Sequence, residues 1–195
     1  STGICLVTQT IFTDSFESGL TNWTLDNNTL DLYGWESTTC SARTGNRSAD
    51  AIRGGDNSLT CTDSYAPDVI TTMTHKSCEA VAGAAQAWLD TYIHVASESG
   101  HDTLGFYYDD TSGAGWGYTF SGNWSSWFHV VLNLKQWYRV GDVTATSCPK
   151  LAVQFESDAS GQPGLGARID DLTVSTAAPS FLACAMTATP ATGPA

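Results

Sequence analysis

Positive charge is scarce in this chain: 8 Lys and Arg stand against 20 Asp and Glu, a formal net charge of -12 over 195 residues. Such a field repels phosphate backbones and anionic lipid, so the sequence excludes nucleic acid and membrane surfaces as ready partners and favours bound cations. Apolar runs long enough to span a bilayer are missing, and so is a signal peptide, so the expectation is a mature, secreted product beginning at Ser1. Helical periodicity is nearly absent. The one candidate, "CEAVAGAAQAW" at about 78–88, runs directly into strand-like alternation. No C-x-x-C pair is present, against a zinc ribbon or a thioredoxin-type site, and no G-x-S-x-G or H-E-x-x-H string occurs.

What is present fits one all-β domain. With 42% hydrophobic residues, 18 Gly and 14% charged residues, the chain can build a sizeable core. In "AQAWLDTYIHVAS", Ala87, Leu89, Thr91, Ile93 and Val95 share one face, and Trp88, Asp90, Tyr92 and His94 the other. Similar short runs recur between turn signals such as "RGGDN", "SGAG" and "SGQPGLG". Many short strands at this spacing indicate an antiparallel sandwich or barrel. In "ARIDDLTV", strict alternation puts Ile169, Asp171 and Thr173 on one face and Asp170, Leu172 and Val174 on the other.

The six cysteines, Cys5, Cys40, Cys61, Cys78, Cys148 and Cys184, are even in number and scattered, as expected of three structural disulfides formed in an oxidising, extracellular compartment. Sequence leaves the pairing open. Four N-x-[ST] sequons, at Asn22, Asn27, Asn46 and Asn123, exceed the roughly two that chance would give, and suggest a glycoprotein.

The opening "FTDSFESGLTNWT", the turn-then-strand "TGNRSADAI" and the closing "KLAVQFESDASGQPGLGARIDDLTV" resemble jelly-roll β-sandwiches of the MAM-like group, over about residues 10–175. That wider group takes in choice-of-anchor domains and calcium-bearing carbohydrate-binding modules. The resemblance implies adjacent first and last strands with a structural Ca2+ near them. It nominates Glu17, Asp170 and Asp171 as ligands, with Asp14 and Asp50 as further candidates. Calcium takes six to eight hard oxygens, which lets several carboxylates coexist at close range. The alternative is a solvated strand edge.

Catalysis is not expected. The adjacent pairs Asp109–Asp110 and Asp170–Asp171 diverge on a strand, whereas a retaining glycosidase needs carboxylates about 5 Å apart. His75, His94, His101 and His129 lack metal-ligand spacing, and His94 and His129 read as surface residues of a strand. The aromatic stretch from Phe106 to Phe128 can do two things. Phe106, Tyr108, Trp127 and Phe128 fit the core, while Trp116, Tyr118 and Trp124 are the members expected outside, where rings stack on sugars and Asp109 and Asp110 bond hydroxyls.

The ends add a different signal. Residues 1–9 carry Ile4, Leu6 and Val7; residues 176–195 carry Phe181, Leu182 and Met186 before a Pro/Thr tail; each end holds one cysteine, Cys5 or Cys184. Either the two cysteines pair and both segments fold onto their own domain, or an extension adds to the sheet of the next copy and builds head-to-tail filaments. The functional expectation is a secreted structural or adhesive subunit that self-associates through these extensions, with a glycan-binding module as the alternative. Whichever holds, alkylation of denatured, unreduced protein should label no cysteine, and a stoichiometric free thiol would refute complete pairing.

Overall fold

A computed structural model describes residues 9–27, 32–79, 81, 86–110, 113–134, 148–160 and 164–176, with backbone alone at 108–110 and 113–116. Among the described residues eleven strands are formed: β1 (Thr10–Asp14), β2 (Trp23–Asn27), β3 (Gly34–Thr38), β4 (Ser48–Gly54), β5 (Ile70–His75), β6 (Trp88–Ala96), β7 (Thr103–Asp110), β8 (Gly113–Phe120), β9 (Phe128–Asn133), β10 (Lys150–Glu156) and β11 (Gly166–Ser175). They make an antiparallel β-sandwich of two sheets. The first sheet runs β3-β4-β11-β6-β9, with β1 also paired to β11; the second runs β2-β5-β10-β7-β8.

Period-two alternation builds the core. On β6 the residues Leu89, Thr91, Ile93 and Val95 are fully buried; on β10 Leu151, Val153 and Phe155 face them from the second sheet, with Leu104 and Phe106 of β7. Each such apolar side chain contributes roughly 1.5–3 kcal/mol by leaving water. Polar contacts cross between the layers as well. Trp35 Nε1 donates to the Thr71 carbonyl at 3.2 Å, and Thr71 Oγ1 donates to the Ala51 carbonyl at 2.9 Å. Two disulfides, Cys40–Cys61 and Cys78–Cys148, tie loops to the sandwich; Cys5 and Cys184 lie outside the described residues.

The first and last strands are neighbours, with Thr10 opposite Ser175 and Thr13 opposite Thr173. Along β11, however, strict alternation fails. Ile169 and Leu172 are both fully buried in the core although they stand three positions apart, an odd offset that strict alternation would put on opposite faces. The register slips between Asp170 and Thr173, and Asp171 has φ +50°. The adjacent aspartates therefore form a β-bulge, which changes the phase of the strand so that both halves feed one core. Asp tolerates this left-handed conformation better than most residues.

Asp50 sits fully buried on β4, opposite Arg168 of β11. Its Oδ2 accepts from Arg168 Nε at 2.6 Å and its Oδ1 from Arg53 Nη1 at 3.0 Å. Arg53 continues to the carbonyls of Thr60, Asp63 and Leu165, so one carboxylate organises the β4–β5 loop and the approach to β11. Removing it leaves two guanidiniums buried without their counter-charge. Asp50→Ala should cost about 3–5 kcal/mol in urea unfolding; a loss below about 1 kcal/mol would show that the cluster is not structural.

Candidate functional site

Among the described residues, three arrangements carry chemistry. The first surrounds the bulge. Asp170 Oδ2 accepts from the backbone N–H of Arg43 at 2.7 Å and of Thr44 at 3.2 Å, and Asp171 Oδ1 accepts from Thr44 Oγ1 at 2.6 Å. From the β1–β2 connection, Glu17 Oε1 accepts from Asn46 N at 2.9 Å and Arg47 N at 2.8 Å. Three carboxylates thus converge on residues 43–47. Burial raises the Asp170 carboxyl above its ordinary range, backbone donors oppose this, and the neighbouring Asp171 charge adds to the rise. A Cβ on Gly45, whose φ is +62°, would collide with Glu17, so this turn needs glycine. Asp14 and Asp50 are engaged elsewhere. Asp14 accepts from Phe16 N, Asn22 Nδ2 and Trp23 Nε1, and Asp50 belongs to the arginine cluster.

A second acidic group, one the sequence did not suggest, joins Glu98, Asp102 and Asp158, which can offer oxygens within 4.8 Å of one another. Asp102 is buried and accepts from Tyr65 Oη and Asp158 N. Ser160 Oγ donates to Glu98 at 2.8 Å, and His101 Nδ1 lies 3.0 Å from Asp158. Burial and the Asp102 carboxylate push the Tyr65 phenol far above its ordinary range. Glu98 and Asp102 lie four residues apart in the β6–β7 connection, but Asp158 follows β10, so local spacing does not announce the third acid.

The third arrangement is the outer face of the second sheet. Leu104 and Phe106 point inward, so Gly105 and Tyr107 point out. A Cβ on Gly105 would collide with Oη, Cε2 and Cζ of Tyr107: the ring lies down along its own strand, over the glycine. Gly105 is opposite Gln154, Gln154 opposite Thr72, and Thr72 opposite Asp26, which sets a polar row across four strands. Gln154 Nε2 donates to Glu156 Oε2 at 3.2 Å, while its Oε1 accepts from Thr72 Oγ1 at 3.4 Å. Burial, and secondarily the Glu156 charge, raise the Tyr107 phenol, keeping it a neutral donor. This is a flat ring edged by fixed amide, hydroxyl and carboxylate groups. Sequence reasoning did not single out Tyr107, although the alternation "LGFY" contained the signal.

The expected aromatic site divides. Tyr118 is 40% exposed, and Trp124 is half-buried, edge-on to Phe120 and Phe128. Phe128, expected in the core, is instead 54% exposed, because it begins the edge strand β9, while Trp127 is half-buried and packs against His94. The side chains of Tyr108, Asp109, Asp110 and Trp116 are outside the described residues. Asn22, Asn46 and Asn123 are exposed, whereas Asn27 turns in against Gly34 with its Oδ1 buried. Ile4, Leu6, Val7, Phe181, Leu182 and Met186 also lie outside the described residues.

No protein-family model matches the chain, and no curated protein does. Solved structures do. TmCBM61, solved in complex with β-1,4-galactotriose, aligns with a TM-score of 0.51 at 14% identity, covering 82% of this chain and 92% of that one. A family 11 carbohydrate-binding module from Clostridium thermocellum, in complex with a β-1,3-1,4-mixed-linked tetrasaccharide, gives 0.52 at 11% identity, covering 86% and 94%. The K1 cleaved adhesin domain of Lys-gingipain from Porphyromonas gingivalis W83 gives 0.51 at 13% identity, covering 86% and 97%. The fold is therefore the jelly-roll β-sandwich of carbohydrate-binding modules and cleaved adhesin domains. The narrower likeness to MAM-like and choice-of-anchor domains rests on sequence motifs alone.

Proposed function

We propose that the chain is an extracellular glycan-binding module whose ligand lies across the outer face of the second sheet. The observation that carries this reading is the Tyr107 ring laid flat over Gly105, with Gln154, Thr72 and Asp26 in register beside it. A sugar ring offers an apolar C–H face and a rim of hydroxyls; a flat aromatic surface takes the first, and Gln154 and Glu156 the second. The fold shared with glycan-bound modules supports the reading, and the two disulfides accord with an extracellular protein. Self-association through the terminal extensions has less behind it, since the comparisons favour glycan binding and the extensions are outside the described residues.

Calcium enters as a structural ion. Glu17, Asp170 and Asp171 are hard oxygen donors that accept from one short loop, although among the described residues the acids whose oxygens come within 4.8 Å of one another are Glu98, Asp102 and Asp158. Bound there, it would supply charge neutralisation between Asp170 and Asp171. In this reading the loop amides share those carboxylates with the ion, and the fold stiffens where β1, β4 and β11 meet.

Two measurements follow. On a polysaccharide or glycan array that the native chain binds, Tyr107→Ala should weaken binding at least tenfold with an unchanged melting temperature; full retention of binding would remove this face from the site. In thermal melts, chelator should lower the melting temperature of the native chain and leave Asp171→Ala unaffected. Dependence abolished by Glu98→Gln instead would assign the ion to the second acidic group, and no dependence in any variant would refute a calcium site.

A further inference from the structure

Resting on the glycan-binding reading of this face, we infer that the ligand is an uncharged glycan, and that Glu156 and Asp26 make the face select against acidic sugars. The register fixes where charge stands relative to the platform. The Tyr107 ring extends toward Gly105, and Gly105 is opposite Gln154. Glu156 is the next outward residue along β10, about 7 Å further on at the ordinary strand rise, and it accepts a hydrogen bond from Gln154. Asp26 ends the same row two strands away, about 10 Å from Gln154 at the ordinary strand spacing. Both carboxylates are exposed.

Among the described residues, the cations of this face stand on the wrong side to offset them: Lys150, and Lys76, which follows β5 at the same end and donates to the Thr21 carbonyl. Lys150 lies opposite Asp109, beyond Tyr107, roughly 13 Å along β10 from Gln154. That is more than the Debye length of about 8 Å at physiological ionic strength, so Lys150 does little at the platform. An ordinary hydroxylated sugar gains from Glu156, because a carboxylate accepts a stronger hydrogen bond from a hydroxyl than a neutral group does. A uronate or sulfate ester on the same ring loses instead. Two like charges about 7 Å apart in water repel by about RT, so Glu156 accounts for roughly threefold in affinity at low salt, while Asp26, about 10 Å from Gln154, acts on a sugar that extends along the row to Thr72.

The test uses the full chain and pairs of polysaccharides that differ in charge: xylan against glucuronoxylan, β-1,4-galactan against polygalacturonate, and β-mannan against alginate. Affinity electrophoresis at low and high salt would compare the native chain, the double variant Glu156→Gln with Asp26→Asn, and Tyr107→Ala. The native chain should bind a neutral member and pass its acidic counterpart. The double variant should gain roughly threefold or more on the acidic member at low salt, a gain that fades toward 1 M salt, and should weaken on the neutral one. If the native chain favours acidic members, or the double variant gains nothing, the charge inference is overturned; loss of binding in Tyr107→Ala would then still uphold the glycan site. If Tyr107→Ala binds as the native chain does, or no glycan of either kind is bound, the site reading fails and the inference falls with it.

Discussion

The bulge at Asp170 and Asp171 is the constraint on which the rest of the sandwich depends. On one edge of β11, Arg168 and Ile169 pair with β4, while Leu172 to Ser175 pair with β1. One strand edge thus serves two partners in succession, and the bulge is where the partner changes. It also lets Ile169 and Leu172 enter one core despite their odd spacing. The carboxylates released from the ladder are then used: they take the amides of Arg43 and Thr44 and the hydroxyl of Thr44. A carboxylate on the β1 side, Glu17, takes the next amides along the same loop. Repulsion between neighbouring acids is thereby offset by a concentration of N–H donors, which is what allows two aspartates to persist in a strand.

Alternation was the legible part of the sequence, and it fails where its assumption fails. On β6 the inward and outward sets read from the sequence agree with the structure residue by residue, because its pairing with β9 runs without a register shift and the extra residue of the bulge lies on β11. On β11 the same reasoning misassigned half a strand, since a period of two carries no mark of an extra residue in the ladder. Phe128 was misread for a related reason: hydrophobicity and neighbours in sequence say nothing about whether a strand is an edge. Tyr107 was hidden among aromatics of greater apparent interest. Once Leu104 and Phe106 are placed inside, its outward direction follows, and the glycine two residues earlier explains how its ring can lie down. The disulfide partners were not legible, because loop proximity depends on strand order, and strand order was itself an inference.

The two sheets divide the work. The outer side of the first sheet is largely engaged with its own chain. Tyr92 is stacked on His129 and covered by the Arg43 guanidinium, His129 holds Asp90, and Trp127 leans on His94 with its indole N–H donated to Ser41. Burial, with the nearby Arg168 charge, also keeps His94 below its ordinary range, as fits a side chain packed against its own protein. A ring stacked on an imidazole and covered by a guanidinium is already engaged by its own chain. The second sheet is built the opposite way. Its outward positions are mostly threonine, glycine and glutamine, short or amide side chains that leave the backbone plane close to the surface, and the one large ring among its described inner strands is laid flat by Gly105. A shallow, rigid surface with one aromatic plate costs little to order when a chain of sugars settles on it.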